Sequence, residues 1–225
     1  MAMILNEEQN LLRDSARDFV SDKGPVSAFR KIRDEKNADG FDKALWTEMA
    51  ELGWAGVIIP EEFGGADFGF QGLGVVLEET GRTLLPSPLV STIVLGSSAL
   101  MLAGSDEQKS ALLPAIAEGK CLMALAAEEG AHHAPYAVET AATADGDSWV
   151  LNGSKCQVLD GHVANQLIVT ARTSGASTDR NGISLFVVAA DSDGVEIEAL
   201  SMVDNRNSAN VKFANVRLDA SDALG

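Results

Sequence analysis

The spacing of apolar residues changes near residue 120, and this change constrains the fold more than any other feature of the sequence. Before it, apolar residues recur every three or four positions, as at Leu73, Val76 and Leu77, which is the period of a helix. After it, short β-branched runs alternate with turn dipeptides. The sequence therefore predicts an α+β protein, with an all-α helical domain over 1–120 followed by an antiparallel β-sandwich or barrel domain over 121–225. A length of 225 residues suits two such domains.

Capping signals mark where several helices begin and end. Asn6 is followed three residues later by Gln9, and Ser105 by Gln108, so each pair predicts a helix N-terminus with a reciprocal side-chain cap. Gly53 follows an apolar repeat at helical spacing and predicts a helix C-terminus, because glycine readily adopts the left-handed conformation found there. The pattern predicts about five helices in the first half of the chain.

Turn dipeptides divide the second half into short segments with strand composition. Each dipeptide ends in glycine and predicts a tight turn: they are Asp145-Gly146, Asn152-Gly153, Asn181-Gly182 and Asp193-Gly194. Strands are predicted over Ser148–Leu151, Lys155–Leu159, Leu167–Thr173, Ile183–Ala190, Val195–Leu200 and Val211–Leu218. The stretch from Thr173 to Gly182 is rich in serine, threonine and glycine, and it predicts an exposed loop.

The charge balance argues against two classes of partner. The chain has 33 acidic and 17 basic residues, a formal net charge of −16, so we expect neither nucleic-acid binding nor attraction to anionic lipid. The most apolar stretch, Leu84 to Ala103, is interrupted by prolines, a glycine and serines, and it predicts a buried helix rather than a membrane insertion. The N-terminal segment MAMILNEEQN lacks the basic region and apolar run of a secretory signal. A cytoplasmic protein is therefore expected.

Residues that could form a reactive site by themselves are few. Cys121 and Cys156 are far apart and form no CxxC pattern, so reduced thiols are expected. The histidines His132, His133 and His162 have no acid or cysteine at ligand spacing, so no metal site is expected. The sequence contains no phosphate-binding loop and no GxSxG serine motif.

Adjacent acids occur in three pairs, which are Glu61-Glu62, Glu78-Glu79 and Glu128-Glu129. Neighbours in sequence point apart on a helix or loop, so we expect solvated faces rather than paired acid–base groups. Taken alone, the residues predict a soluble two-domain protein without a self-sufficient active site.

The order of several segments resembles the acyl-CoA dehydrogenase family along the whole chain. The similarity begins with NEEQNLLRDSARDFV and is most specific in LGWAGVIIPEEFGGA. It continues through LNGSKCQVLDGHVANQLIVTART and VKFANVRLDASDALG. The resemblance implies a helical N-terminal domain, a middle β domain and a C-terminal four-helix domain. It also implies an FAD-dependent enzyme that oxidises acyl-CoA thioesters to 2-enoyl-CoA.

The resemblance implies a flavin site with altered side chains. In the family, a threonine and a serine of the first β motif help to hold the flavin and its pyrophosphate, and Ala127 and His133 stand at those places here. The second motif usually reads Trp-Ile-Thr, and Gln157-Val158-Leu159 replaces it. The ring that packs on the flavin and the hydroxyl near N5 are therefore lost, which leaves backbone groups to bond the isoalloxazine. The implied cofactor-binding residues are Ala126, Ala127, His133, Gln157, Val158 and Leu159.

On the same alignment, the helix from Ser87 to Ala103 borders the acyl cavity. The resemblance places Ser91, Leu95 and Ser98 towards the substrate, and the alternative is that these are ordinary residues at a helix crossing. The Val-Leu-Asp-Gly form of the second motif resembles members that act on sterols and other bulky acyl-CoAs in bacteria. Some of those members are built from two unlike subunits.

Two functions remain open from the sequence. The first is an FAD-dependent acyl-CoA dehydrogenase that passes electrons to an electron-transfer acceptor and assembles as a homo- or hetero-oligomer. The second is a non-catalytic assembly subunit that kept the fold and lost cofactor contacts. In most members the catalytic base is a glutamate of the C-terminal domain, so no catalytic residue is assigned here. The 225 residues end where that domain would begin, and we expect the isolated chain to be inactive.

Overall fold

A computed structural model describes residues 4–204 and 206–225. A helical N-terminal region is followed by an eight-stranded sheet, so the predicted α+β class is confirmed. The helices are α1 Glu7–Lys23, α2 Val26–Asp34, α3 Lys43–Glu51, α4 Gly69–Arg82, a π-helix over Leu89–Ser97, α5 Ser98–Ala103 and α6 Asp106–Ala117. The strands are β1 Met123–Ala126, β2 Ala141–Asp145, β3 Ser148–Leu159, β4 Gln166–Arg172, β5 Ile183–Ala189, β6 Val195–Ala199, β7 Ser208–Asp219 and β8 Ala223–Leu224.

The capping signals are confirmed. Asn6 and Gln9 form a reciprocal capping box at the start of α1, and Ser105 and Gln108 form another at the start of α6. Gly53 follows α3 with a φ of 80°, the left-handed conformation that favours glycine. The short side-chain hydrogen bonds of these caps satisfy backbone donors that a helix leaves unpaired at its first turn.

Of the apolar stretch from Leu84 to Ala103, residues from Leu89 onward are helical and largely buried, and the first nine of these form a π-helix, whereas the predicted helix does not extend over 84–88. Across residues 4–204 and 206–225, no helix has the length and apolar character that crossing a membrane requires. Residues 1–3 of the N-terminal segment, on which the cytoplasmic expectation partly depends, lie outside the described residues.

The sheet is mainly antiparallel, in the order β6-β7-β3-β2-β4-β5-β8. Strand β1 pairs with β4 in parallel, as does β2 at a single position, so the sheet is mixed at its centre. Sequence reasoning found β4 to β7 to within a few residues and did not find β1, β2 or β8. The three missed strands are short and rich in alanine, which has weak strand propensity.

The predicted turn at Asn152-Gly153 is wrong, because β3 runs without a break from Ser148 to Leu159. The register of β3 against β7 shifts between Leu151 and Gly153, so the dipeptide forms a β-bulge instead of a hairpin. A Cβ on Gly153 would lie 2.6 Å from Cα of Thr140, which is why this position holds glycine.

The apolar core of the helical region extends into the sheet. Met123 of β1, Ile168 of β4 and Leu224 of β8 belong to the same buried cluster as the helices, whereas a second cluster lies on the other side of the sheet. Thr92 of the π-helix donates to the carbonyl of Met123 and accepts from its amide N–H, at 3.2 and 3.0 Å. Gly96 lets the π-helix approach β1, because a Cβ there would lie 2.8 Å from Met123.

Candidate functional site

The two motifs identified in the sequence lie side by side in the structure. The first continues from the end of β1 through Gly130, and the second occupies the end of β3. The amide N–H of Cys156 donates to the carbonyl of Glu128 at 2.8 Å, and its thiol donates to the carbonyl of Gly130 at 3.3 Å. These hydrogen bonds join the first motif to β3, although Gly130 and Cys156 are 26 positions apart in the sequence.

The second motif begins at an irregularity in β3. The register against β7 shifts between Lys155 and Val158, and Gln157 has a φ of 53°. This geometry turns the Gln157 side chain out to solvent, while Val158 is buried and Leu159 is partly buried. The β-bulge therefore gives the second motif an irregular backbone beside the first motif, in place of regular strand pairing.

The first motif has unused backbone donors. Within the described residues, the amide N–H groups of Glu128, Glu129 and Gly130 donate to no protein acceptor. The carbonyls of Ala127 and Glu128 point the other way and are bonded to β3 and β4 side chains or backbone. Consecutive free N–H groups are suited to bind the carbonyl or phosphate oxygens of a ligand.

A buried ion pair supports the first motif. The side-chain amine of Lys155 is fully buried and donates to Glu129 at 2.6 Å, while Glu129 accepts the N–H groups of Glu139 and Thr140 at 2.7 and 3.0 Å. Burial lowers the pKa of Lys155, and Glu129 partly offsets this shift. Burial acts to raise the pKa of Glu129, but the hydrogen bonds from Lys155 and the amides outweigh it, so that pKa is lowered.

An apolar cavity of about 500 Å³ lies between the helical region and the sheet. Leu159 of the second motif forms part of its wall, so the candidate site opens onto this space. Leucines from α4 and the following turn form much of the remainder, and Arg206 contributes a charged group. The leucines are Leu77, Leu84, Leu85 and Leu89, in addition to Leu159. The site therefore offers a mostly apolar compartment next to polar backbone, which is the usual character of a small-molecule pocket.

Asp160 follows the second motif directly and connects it to the π-helix. Its buried carboxylate accepts the hydroxyl of Ser91 at 2.6 Å and the guanidinium of Arg206 at 3.4 Å. Burial raises the pKa of Asp160, against the lowering effects of Arg206 and Ser91.

The three residues predicted to face the substrate occupy different environments. Ser91 is completely buried and donates its hydroxyl to Asp160, whereas Leu95 is partly buried. The hydroxyl oxygen of Ser98 is buried and has no partner among the described residues. Their role towards the substrate stays a prediction.

His133 lies apart from the other predicted cofactor residues. Its ring is largely exposed and contacts the carboxylate of Glu128, whose second oxygen accepts the N–H of Ala134 at 3.2 Å. His133 therefore stabilises the loop after the first motif, and its role towards a cofactor stays a prediction. The carbonyls of Ala127 and Glu128 accept from Lys155 and Cys156, which directly precede the second motif, and the cofactor roles of Ala126, Ala127 and the second motif also stay predictions.

The expectation of solvated faces for the acid pairs is wrong at two positions. The Glu79 side chain is completely buried between Arg17 at 2.8 Å and Arg82 at 3.1 Å. Glu129 is also mostly buried and pairs with Lys155. Arg82 is three residues from Glu79 on the same helix, whereas Arg17 and Lys155 are distant in sequence from the acids that they pair with. Two local signals were present and were missed: the spacing of Glu79 and Arg82, and a lysine inside a strand.

Comparison with known protein families identifies the family of this chain. The model of the acyl-CoA dehydrogenase N-terminal domain matches residues 6–120, and that of the acyl-CoA dehydrogenase middle domain matches residues 123–216. This chain belongs to the acyl-CoA dehydrogenase family. The resemblance seen in the sequence is thereby confirmed.

Individual relatives support the assignment. Acyl-CoA dehydrogenase FadE12 of Mycobacterium tuberculosis is 30% identical over 230 aligned residues, covering 100% of this chain and 58% of that protein. A variant of the Tcur3481-Tcur3483 steroid ACAD has a TM-score of 0.85 at 33% identity, covering 97% of this chain and 57% of that one. The ChsE4-ChsE5 complex of Mycobacterium tuberculosis has a TM-score of 0.87 at 25% identity, covering 100% and 58%. The chain thus spans less than two thirds of the length of these acyl-CoA dehydrogenases.

Proposed function

We propose that this chain forms the N-terminal and middle domains of an FAD-dependent acyl-CoA dehydrogenase, an enzyme that converts an acyl-CoA thioester to a 2-enoyl-CoA. The observation that carries the proposal is the meeting of the two flavin motifs beside an apolar cavity. We assign the domains to 1–120 and 121–225, which agrees closely with the family matches at 6–120 and 123–216.

The residues present fit a flavin through backbone more than through side chains. Free N–H groups at Glu128, Glu129 and Gly130 supply donors, and the bulge at Gln157 presents the second motif beside them. We assign Ala126, Ala127, His133, Gln157, Val158 and Leu159 to the cofactor site. When bound, FAD would accept the hydride from the β-carbon of the substrate.

The chain's own contribution to the reaction is to bind and shield the reactants. The apolar cavity walled by Leu159, by Leu77 of α4 and by Leu84 and Leu85 after it suits an acyl group. The π-helix that carries Ser91, Leu95 and Ser98 forms one boundary of this region, because its first residues, Leu89 and Val90, line the cavity. The catalytic base is unassigned in this chain.

We further propose a bulky acyl-CoA of the steroid type as substrate. Two observations support it: the Val-Leu-Asp-Gly form of the second motif, and a likeness at 33% identity to a protein described as a steroid ACAD. Electrons would pass to an electron-transfer acceptor, and the assembly would be a homo- or hetero-oligomer in the cytoplasm.

A second candidate function is a non-catalytic assembly subunit. The observation that favours it is the loss of the hydroxyls and the aromatic ring at Ala127, Gln157 and Leu159, which removes side-chain contacts to a flavin. Such a subunit would keep the fold and support an active partner.

The test is to purify the longest reading frame that contains this chain and to measure flavin content and turnover. The assay uses a dye acceptor with straight-chain and steroid-type acyl-CoAs. Bound FAD with turnover supports the dehydrogenase. A flavin-free, inactive protein that raises the activity of a co-purifying dehydrogenase supports the assembly subunit. The 225-residue chain alone is expected to show no turnover.

A further inference from the structure

Lys155 is a buried cation at the junction of the two motifs. Its side chain is completely inaccessible to solvent, and its amine donates to Glu129 at 2.6 Å, to the hydroxyl of Thr170 at 2.8 Å and to the carbonyl of Ala127 at 3.3 Å. An isolated ammonium in such a place would be strongly destabilising, so the three acceptors are what allow it to be there. Two of the three acceptors belong to the first motif.

Glu129 completes this arrangement from the other side. One of its oxygens accepts the N–H of Glu139 at 2.7 Å, and the other accepts both Lys155 and the N–H of Thr140. A single carboxylate thus joins the first motif, β3 and the segment that leads into β2.

We propose that Lys155 and Glu129 are positioning residues that fix the backbone of 126–130 against the second motif. This inference rests on the proposed function, because the group to be bound there is the flavin. With the carbonyl of Ala127 held towards Lys155 and the carbonyl of Glu128 held by Cys156, the free N–H groups of the segment are directed outwards. We call the pair of Lys155 and Glu129 the clamp. It compensates for the side-chain hydroxyls that the first motif has lost.

A purely structural role makes a different prediction. A buried ion pair adds little net stability relative to neutral groups of similar size, because desolvation offsets the attraction. If this pair mattered only to the stability of the whole fold, its removal would lower the thermal midpoint and leave the affinity for the flavin unchanged. If it positions one segment, its removal would weaken the hydrogen bonds made to that segment and the affinity for the flavin, while the midpoint stays close to wild type.

The test is the double substitution Lys155→Met with Glu129→Gln. Glutamine keeps one oxygen, which can accept from the N–H of Glu139 or of Thr140, and methionine fills the volume of the lysine stem, so the fold should persist. The matched control is Lys212→Met with Glu196→Gln, which neutralises an exposed pair between β6 and β7 at 3.2 Å.

Three quantities are measured on both variants and the wild type: amide hydrogen exchange without flavin, the thermal midpoint, and the Kd for FAD from flavin fluorescence. The amide of Cys156 reports on the position of the segment, because it donates to the carbonyl of Glu128. We expect its exchange to be about tenfold faster, the Kd about tenfold weaker and the thermal midpoint close to wild type in the clamp variant only. Unchanged exchange at Cys156 would overturn the proposal. So would faster exchange spread evenly over the chain with a lower midpoint.

The same measurements separate this inference from the proposed function. If the wild type binds FAD and the clamp variant binds it equally well, the clamp is wrong and the function stands. If the wild type binds no FAD while exchange at the amide of Cys156 still responds to the substitutions, the segment is clamped and the flavin assignment is wrong.

Discussion

Ser91 on the π-helix donates a 2.6 Å hydrogen bond to Asp160, the residue directly after the second flavin motif, and both side chains are buried. This bond is a direct side-chain connection between the helical region and the candidate site. Arg206 supplies a second, longer hydrogen bond to the same carboxylate oxygen at 3.4 Å. Because the junction contains a buried carboxyl, its contribution to stability depends on pH.

We predict that the stability of the wild type relative to Asp160→Asn rises as the pH falls. Burial raises the pKa of Asp160 above its ordinary value of 3.8, although Arg206, Ser91, Asn207 and His162 act in the opposite direction. A carboxyl whose pKa is higher in the folded state costs stability when ionised, and this cost is full above the folded pKa and vanishes below 3.8. Asparagine does not ionise, so thermal midpoints of both proteins between about pH 7 and about pH 4 measure the effect.

Asp145→Asn is the control for this experiment. Asp145 carries an exposed carboxylate beside Arg217, so its substitution removes one charge without changing a buried junction. A difference between wild type and Asp160→Asn that stays constant across the pH range, as large at neutral pH as in acid, would contradict the prediction.

A second prediction concerns the packing of the π-helix on β1. Gly96→Ala would place a Cβ 2.8 Å from the Met123 side chain, so we expect a loss of about 1–3 kcal/mol in the free energy of unfolding. Gly74→Ala is the matched control, because Gly74 is an exposed residue of α4 with no atom within 4 Å of a Cβ. That substitution should stabilise by up to about 1 kcal/mol. Urea denaturation measures both, and equal effects would show that Gly96 is not a close-packing position.

The bulge in β3 gives a third prediction. Gly153 has a φ of 146°, and a Cβ there would lie 2.6 Å from Thr140, so Gly153→Ala combines backbone strain of about 1–3 kcal/mol with a steric clash. Gly146 has a φ of 65° with no atom within 4 Å, so Gly146→Ala carries only a left-handed backbone cost of about 1 kcal/mol. Chemical denaturation should therefore find Gly153→Ala clearly the less stable variant. A larger loss at Gly146 would contradict this account of the bulge.

The local signals in the sequence predicted local structure well. The pairs Asn6–Gln9 and Ser105–Gln108 form the expected capping boxes, because a cap depends only on residues within one turn. Helix α2 was missed although Val26, Phe29 and Ile32 recur at helical spacing; it is short, has no side-chain cap and contains no buried residue.

The parts that sequence reasoning missed depend on distant neighbours. Asn152-Gly153 has the composition of a hairpin turn, and only the pairing of β3 with β7 makes it a bulge. From the sequence alone, Glu129 is expected to be an exposed acid. In the structure, the sheet brings Thr140 and Lys155 next to it. The flavin motifs were located by family resemblance, whereas the ion pair that joins them is visible only in three dimensions.

The last prediction is that restoring the family side chains will strengthen FAD binding. The triple variant Ala127→Thr, Gln157→Trp and Leu159→Thr returns two hydroxyls and one ring to the two motifs. Each hydrogen bond contributes about 1 kcal/mol and a stacked ring about 0.5–1.5 kcal/mol. The dissociation constant of the 225-residue chain for FAD should therefore fall by about two powers of ten.

Titration of flavin fluorescence measures this affinity, with thermal midpoints to check that the variant stays folded. Gln157→Ala is the control, because it removes the exposed glutamine without adding a ring, and it should leave the affinity unchanged. The direction of the effect matters because the altered side chains are also what favour a non-catalytic subunit. If the folded triple variant binds FAD no better than the wild type, the surface formed by Ala127 and the second motif does not face the flavin, and the cofactor assignment falls. If it binds more tightly, the site has kept its shape, and the weak affinity expected for the natural chain is caused by the lost side chains.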